Sequence, residues 1–142
     1  MIATSILLAE DEESDAMIFR MALERAGITN PLIILSDGQE AVDYLSGLGA
    51  YADRIKHPLP GLLVLDLKMP RMSGFDVLTW LAQRPEFASL PAVVLSSSPA
   101  EMDIMKAKSA GAREYFVKPH NLKDLIGILQ TLQARWLGST AS

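Results

Sequence analysis

Five short runs of branched and apolar residues punctuate the chain: Ser5 to Ala9, Leu32 to Leu35, Leu62 to Leu65, Ala92 to Leu95 and Glu114 to Val117. A helix-like stretch separates each run from the next and another follows the last, so the pattern reads strand then helix, repeated along the chain. The third run, Leu62-Leu63-Val64-Leu65, is apolar at every position, as expected of a strand covered on both faces, and this predicts a parallel sheet. Helix boundaries are marked as well. Ser14 can cap the first helix, Ser98 followed by Pro99 can open the fourth, and Asn121 can cap the fifth. In that last helix Leu122, Leu125, Ile126, Leu129, Leu132 and Trp136 share one stripe, which predicts docking on the sheet. Gly27 and Gly111 stand where helices end and suit left-handed caps. The widest gap, Ser46 to Pro60, is long for such a connection. Tyr51, Ile55 and Leu59 predict that it packs as an ordered loop.

Length permits one hydrophobic core: 142 residues, 49% hydrophobic and 21% charged, read as a single domain over 1–142 with no output domain. No apolar stretch is long enough to span a bilayer, and the start carries no basic region before an apolar run, so a cytoplasmic location is expected, with no membrane partner. The absence of cysteine excludes thiol nucleophiles and cysteine metal sites, and two histidines, His57 and His120, are too few for a typical zinc site. A net charge of −4 with no basic stripe argues against a nucleic-acid partner.

In open parallel sheets ligands collect beyond the carboxyl ends of the strands. Here those ends carry Glu10 and Asp11, Asp66, Ser96, and Lys118 followed by Pro119. Each has an ordinary explanation alone: a turn former, solvated acids, a polar loop, a surface cation. Gathered together, three carboxylates repel by about 4 kcal/mol per pair at ~4 Å in an effective dielectric near 20, so the cleft calls for a cation. All-oxygen donors favour a hard divalent ion such as Mg²⁺. With phosphoryl oxygens neutralised, Asp66 could attack an activated phosphorus, Lys118 could meet one phosphoryl oxygen, and Ser96 could donate to another.

The segments Ile6-Leu7-Leu8-Ala9-Glu10-Asp11, Leu65-Asp66-Leu67-Lys68-Met69-Pro70-Arg71-Met72-Ser73-Gly74, Val94-Leu95-Ser96-Ser97 and Tyr115-Phe116-Val117-Lys118-Pro119 resemble, in order and separation, the characteristic blocks of response regulator receiver domains. The resemblance covers nearly the whole chain. It implies a doubly wound α/β fold, flavodoxin-like, with a five-stranded parallel sheet in the order 2-1-3-4-5 and five helices. It also implies Asp66 as phosphoacceptor, a Mg²⁺ site of Glu10, Asp11, Asp66 and the Lys68 backbone carbonyl, a Ser96 and Tyr115 switch pair, and Lys118 as the phosphate-binding lysine. Many members carry Thr where this chain has Ser96, and the lost methyl places the switch hydroxyl less rigidly. Tyr115 could equally be a strand aromatic filling the core edge. The Lys68 side chain, two residues past the acceptor, is expected to tune dephosphorylation.

The segment Gly49-Ala50-Tyr51-Ala52-Asp53-Arg54 with Pro58-Leu59-Pro60 further resembles single-domain regulators that partner bacterial and cyanobacterial phytochromes. That likeness implies a sensor histidine kinase of the bacteriophytochrome type as phosphate source, a homodimer, and a downstream protein or phosphotransfer partner. The chain is then a signalling phosphoacceptor and not a turnover enzyme. A haloacid-dehalogenase-type phosphatase would need a second aspartate where Lys68 stands, and a flavodoxin would need hydroxyl and glycine donors where the first loop is acidic. A scaffold that binds a partner without phosphorylation is the third alternative.

Overall fold

The computed structural model describes residues 4–138. Five strands and five helices alternate: β1 (Ile6–Ala9), α1 (Glu13–Arg25), β2 (Leu32–Leu35), α2 (Gly38–Ser46), β3 (Leu62–Leu65), α3 (Gly74–Ala82), β4 (Ala92–Ser96), α4 (Glu101–Ser109), β5 (Glu114–Val117) and α5 (Leu122–Leu132). All pairings are parallel, and the order is β2-β1-β3-β4-β5, as expected. Chain direction changes sides between β1 and β3, which puts their carboxyl ends next to each other at the switch point.

Alternate residues of the central strands feed two cores. Leu7, Leu63, Leu65 and Val94 pack toward Ala41, Leu45, Val77, Leu78 and Ala107 of α2, α3 and α4. Ile6, Leu8, Val64 and Val93 pack toward Phe19, Leu23, Leu125, Leu129 and Leu132 of α1 and α5. Burial on both faces is why β1, β3 and β4 carry no polar residue before their last position. The α5 stripe docks as predicted, and a π-helical turn over Gln133–Leu137 brings Trp136 to the same core while its indole N–H donates to Glu114 at 2.7 Å.

The caps only partly follow the expectation. Asn121 accepts from the Asp124 amide at 2.8 Å, and Gly27 and Gly111 take positive φ of 74° and 116°. Ser14 caps nothing: α1 starts earlier, with Glu12 at the cap position and no side-chain capping bond, and its acidic first turn of Glu13 and Asp15 suits the positive end of the helix dipole. The cap position of α4 is Ala100 and not Ser98. Ser98 acts from two residues upstream, its Oγ accepting from the Ala100 amide and donating to Asp103 at 2.6 Å.

The long α2 to β3 connection is ordered, and of its three apolar residues Tyr51 packs against the core as expected. Ile55 is 94% exposed and Leu59 53% exposed, so neither packs as expected. Arg54 holds the loop instead, donating to the carbonyls of Tyr44, Leu45 and His57, while Tyr44, Tyr51 and His57 form an aromatic cluster. Two of those carbonyls, Tyr44 and Leu45, lie in the last turn of α2, so the guanidinium ties the loop to the end of that helix.

Candidate functional site

The register of the sheet brings the sequence-predicted residues together. Ala9 of β1 lies opposite Leu65 of β3, so Glu10 and Asp66 follow each other out of the sheet side by side, and the Asp66 amide donates back to the Ala9 carbonyl at 3.1 Å. Val94 lies opposite Leu65, which puts Ser96 at the neighbouring strand end. Ser96 pairs in register with Val117, and the Lys118 amide donates to the Ser96 carbonyl at 2.7 Å.

Three carboxylates converge. Glu10, Asp11 and Asp66 each offer an oxygen within 4.8 Å of the others, with Glu10 and Asp66 buried and Asp11 exposed. The Lys118 ammonium lies against this group, donating to Glu10 Oε1 at 2.6 Å, Asp66 Oδ2 at 3.1 Å and Asp15 Oδ2 at 2.8 Å. Burial pushes the Glu10 carboxyl up, the Lys118 hydrogen bond pulls it down, the Asp66 charge pushes it up again, and the result is about 7. Burial pulls Lys118 down, but its bonds to Asp15 and Glu10 and the charge of Asp66 outweigh that and hold the ammonium above the usual lysine range. The cleft therefore carries more negative charge than one lysine offsets. Three oxygen donors with no sulfur or imidazole fit a hard divalent ion, which would offset the mutual repulsion of the carboxylates.

The loop after Asp66 is clamped against the body. Gly74 begins α3 so close beneath β3 that a Cβ there would lie 2.2 Å from the Asp66 carbonyl oxygen, and its amide donates to the Leu67 carbonyl at 3.0 Å. Gly38 is equally tight: a Cβ would lie 2.2 Å from the Met72 carbonyl oxygen, to which its amide donates at 3.1 Å. Arg71, in the left-handed region at φ 62°, donates twice to Asp37 at 2.9 and 3.2 Å. Asp37 also caps α2 through the Glu40 amide at 2.8 Å. Within the loop, the Lys68 amide approaches Asp66 Oδ1 at 3.5 Å, and the Lys68 residue is exposed.

Ser96 is buried, its Oγ accepting from the Ser98 amide at 3.1 Å. Tyr115 is half-buried against the α2–α4 core, with its hydroxyl donating to the Ser98 carbonyl at 2.7 Å. Ser96 and Tyr115 are thus both hydrogen-bonded to Ser98. Sequence reasoning missed Asp15, and it missed the Asp37 and Arg71 pair. The one available signal was Asp37-Gly38 before an apolar helix.

A family model described as "Response regulator receiver domain" matches residues 6–130. The chain belongs to that family. This receiver domain is 36% identical over 132 residues to response regulator Rcp1 of Synechocystis sp., covering 93% of this chain and 88% of that protein. The crystal structure of response regulator RPA3017 in red light signaling of R. palustris matches with a TM-score of 0.90 at 34% identity, covering 96% of each chain. The phosphorylated cyanobacterial phytochrome response regulator RcpA matches with a TM-score of 0.86 at 31% identity, covering 99% of this chain and 96% of that one. The Mn(2+)-bound form of Rcp1 matches with a TM-score of 0.83 at 34% identity over 96% of each chain. The receiver domain thus has phytochrome response regulators among its relatives, and its acidic cluster is compatible with a divalent ion. No helix among the described residues is long and apolar enough to cross a membrane.

Proposed function

We propose that this receiver domain accepts a phosphoryl group on Asp66 from a phosphohistidine of a sensor kinase, in a Mg²⁺-dependent reaction. The kinase is proposed to be of the phytochrome type, because RcpA is a cyanobacterial phytochrome response regulator and RPA3017 acts in red light signaling. The observation that carries the reading is the set of Glu10, Asp11 and Asp66 oxygens within 4.8 Å of one another under the Lys118 ammonium.

In the transfer, the donor's phosphorus–nitrogen bond breaks as a bond forms from phosphorus to an Asp66 carboxylate oxygen, and the imidazole leaves with the electron pair. Glu10, Asp11, Asp66 and the Lys68 carbonyl would hold the ion. A bound Mg²⁺ supplies neutralising charge to the phosphoryl oxygens. Asp66 is aimed by the short contact of Gly74 beneath its carbonyl. Lys118 turns the donor it now gives to Asp66 toward a phosphoryl oxygen, and the Ser96 hydroxyl donates to another. Movement of Ser96 pulls on the Ser98 amide, and through Ser98 on the Tyr115 hydroxyl, so the surface of α4, β5 and α5 changes. That surface is proposed to serve a homodimer contact or a downstream partner, and the chain to act as one signalling unit that catalyses only its own phosphorylation and dephosphorylation. The exposed Lys68 side chain is proposed to set phosphate lifetime.

Incubation with acetyl phosphate and Mg²⁺, read by intact mass after acid quench, tests the reading. Wild type gains one phosphoryl mass, and both chelation of the ion and Asp66→Asn remove the gain. An adduct that persists in Asp66→Asn overturns it.

A further inference from the structure

A lysine ammonium has three N–H donors, and Lys118 spends all of them on carboxylates. Two of the acceptors, Glu10 and Asp66, belong to the acid group described above; the third, Asp15, does not. Asp15 sits in the first turn of α1, where the helix dipole favours a carboxylate, and its side chain is 39% exposed against 4% for Glu10. It is therefore partly solvated and lies outside the acid group that would hold a metal. Its bond to Lys118 is 2.8 Å, shorter than the 3.1 Å bond from Lys118 to Asp66.

On the phosphoacceptor reading, on which this inference rests, Glu10 becomes a metal ligand and the Asp66 carboxylate becomes an acyl phosphate. Both are then committed elsewhere. The Lys118 backbone is fixed by its amide on the Ser96 carbonyl, but four methylenes separate that anchor from the charge. Asp15 is the acceptor still available to the ammonium at each stage.

We propose that Asp15 is a positioning residue for phosphoryl transfer: it tethers the Lys118 ammonium to the start of α1 and keeps it over the cleft while Glu10 and Asp66 change partners. The donor that Lys118 gives to Asp66 is the one that turns to the incoming phosphoryl group, and the donor held by Asp15 stays in place. Asp15 acts through Lys118 and does not touch the reacting atoms. It also couples α1 mechanically to the phosphorylated state, since movement of the ammonium pulls on the first turn of that helix.

The test uses the full chain as wild type, Asp15→Asn and Asp15→Glu. Asparagine keeps the shape and removes the charge; glutamate restores the charge on a longer stem. The first readout is the order of the Lys118 side chain, measured by NMR relaxation without metal. It falls in Asp15→Asn and recovers in Asp15→Glu, whereas a residue that only stabilises α1 would leave it unchanged. The second is the rate of Asp66 phosphorylation by acetyl phosphate with Mg²⁺. It falls roughly five- to tenfold in Asp15→Asn, the scale of a partly screened charge-assisted hydrogen bond, and returns toward wild type in Asp15→Glu. An unchanged Lys118 order, or phosphorylation in Asp15→Asn as fast as or faster than wild type, overturns the proposal. If wild type itself takes no phosphoryl group while Lys118 order still follows Asp15, the phosphoacceptor reading has failed and the tether stands.

Discussion

Gly74→Ala isolates how closely the acceptor loop is held. The added methyl would meet the Asp66 carbonyl oxygen at 2.2 Å, the Asp66 carbonyl carbon at 3.0 Å and the Leu67 Cα at 3.1 Å. All three atoms are backbone, so no side chain can swing aside, and ordinary contact requires the β3 exit or the start of α3 to move by about 1 Å. Such overpacking costs ~1–3 kcal/mol, and the better helix propensity of alanine recovers under about 1 kcal/mol. Because the displaced atoms belong to the acceptor itself, the kinetic loss exceeds the loss of stability: a 1 Å misplacement of a reacting group costs on the order of 100-fold. Urea unfolding is therefore expected to show a loss of about 1–2 kcal/mol, and phosphorylation by acetyl phosphate a fall of roughly two orders of magnitude with folded protein still present. Wild-type kinetics in Gly74→Ala would refute the reasoning. So would a rate loss no larger than the unfolded fraction accounts for.

Gly127 provides the contrast: it is exposed inside α5, and a methyl added there would find nothing within 4 Å, so Gly127→Ala is expected to raise stability by ~0.5–1 kcal/mol in the same urea assay, and any loss would contradict this. Lys118→Ala leaves Glu10 and Asp66 facing each other without a cation, at a cost of about 3 kcal/mol in chelator, and millimolar Mg²⁺ should stabilise the variant more than wild type; equal increments in Tm would count against the acid cluster as the ion's site. Burial pushes Asp37 up, but the Arg71 hydrogen bonds, the Glu40 amide and the Arg71 charge outweigh it and hold the carboxyl below its ordinary value. A folded value below the unfolded one, about 3.9, means that its contribution is present above that pH and is lost as pH falls through the folded value. Asp37→Asn is thus less stable than wild type at neutral pH, and the gap narrows in acid below about pH 4; a gap independent of pH would refute this.

The sheet was legible because its central strands are buried on both faces, which leaves unbroken apolar runs such as Leu62 to Leu65 that no loop would carry. The acid group was legible for the same reason: once the strands are placed, the first polar residue past each end must sit at one rim, and Glu10, Asp66 and Lys118 follow. What stayed hidden depends on side-chain reach. Asp15 meets a lysine 103 positions later, and Arg71 meets an aspartate 34 positions earlier, distances at which local pattern carries no information. Ser14 looked like a cap by residue type, yet the chain turned into helix sooner, with the Glu12 amide already taken by Glu10 Oε2 at 3.2 Å. Ile55 and Leu59 looked like packing residues, while the loop is held by one arginine bonding three carbonyls and by Tyr51 in its aromatic cluster.

A covalent bond from phosphorus to the carboxylate at the end of β3 is the central claim. After phosphorylation in the presence of Mg²⁺, reduction with borohydride converts an aspartyl phosphate to homoserine, and peptide mass spectrometry then reads which residue carried it. Conversion at Asp66, absent when the ion is chelated, is the predicted result. Conversion at Asp11 or Glu10 in place of Asp66, or at no carboxylate, would contradict it.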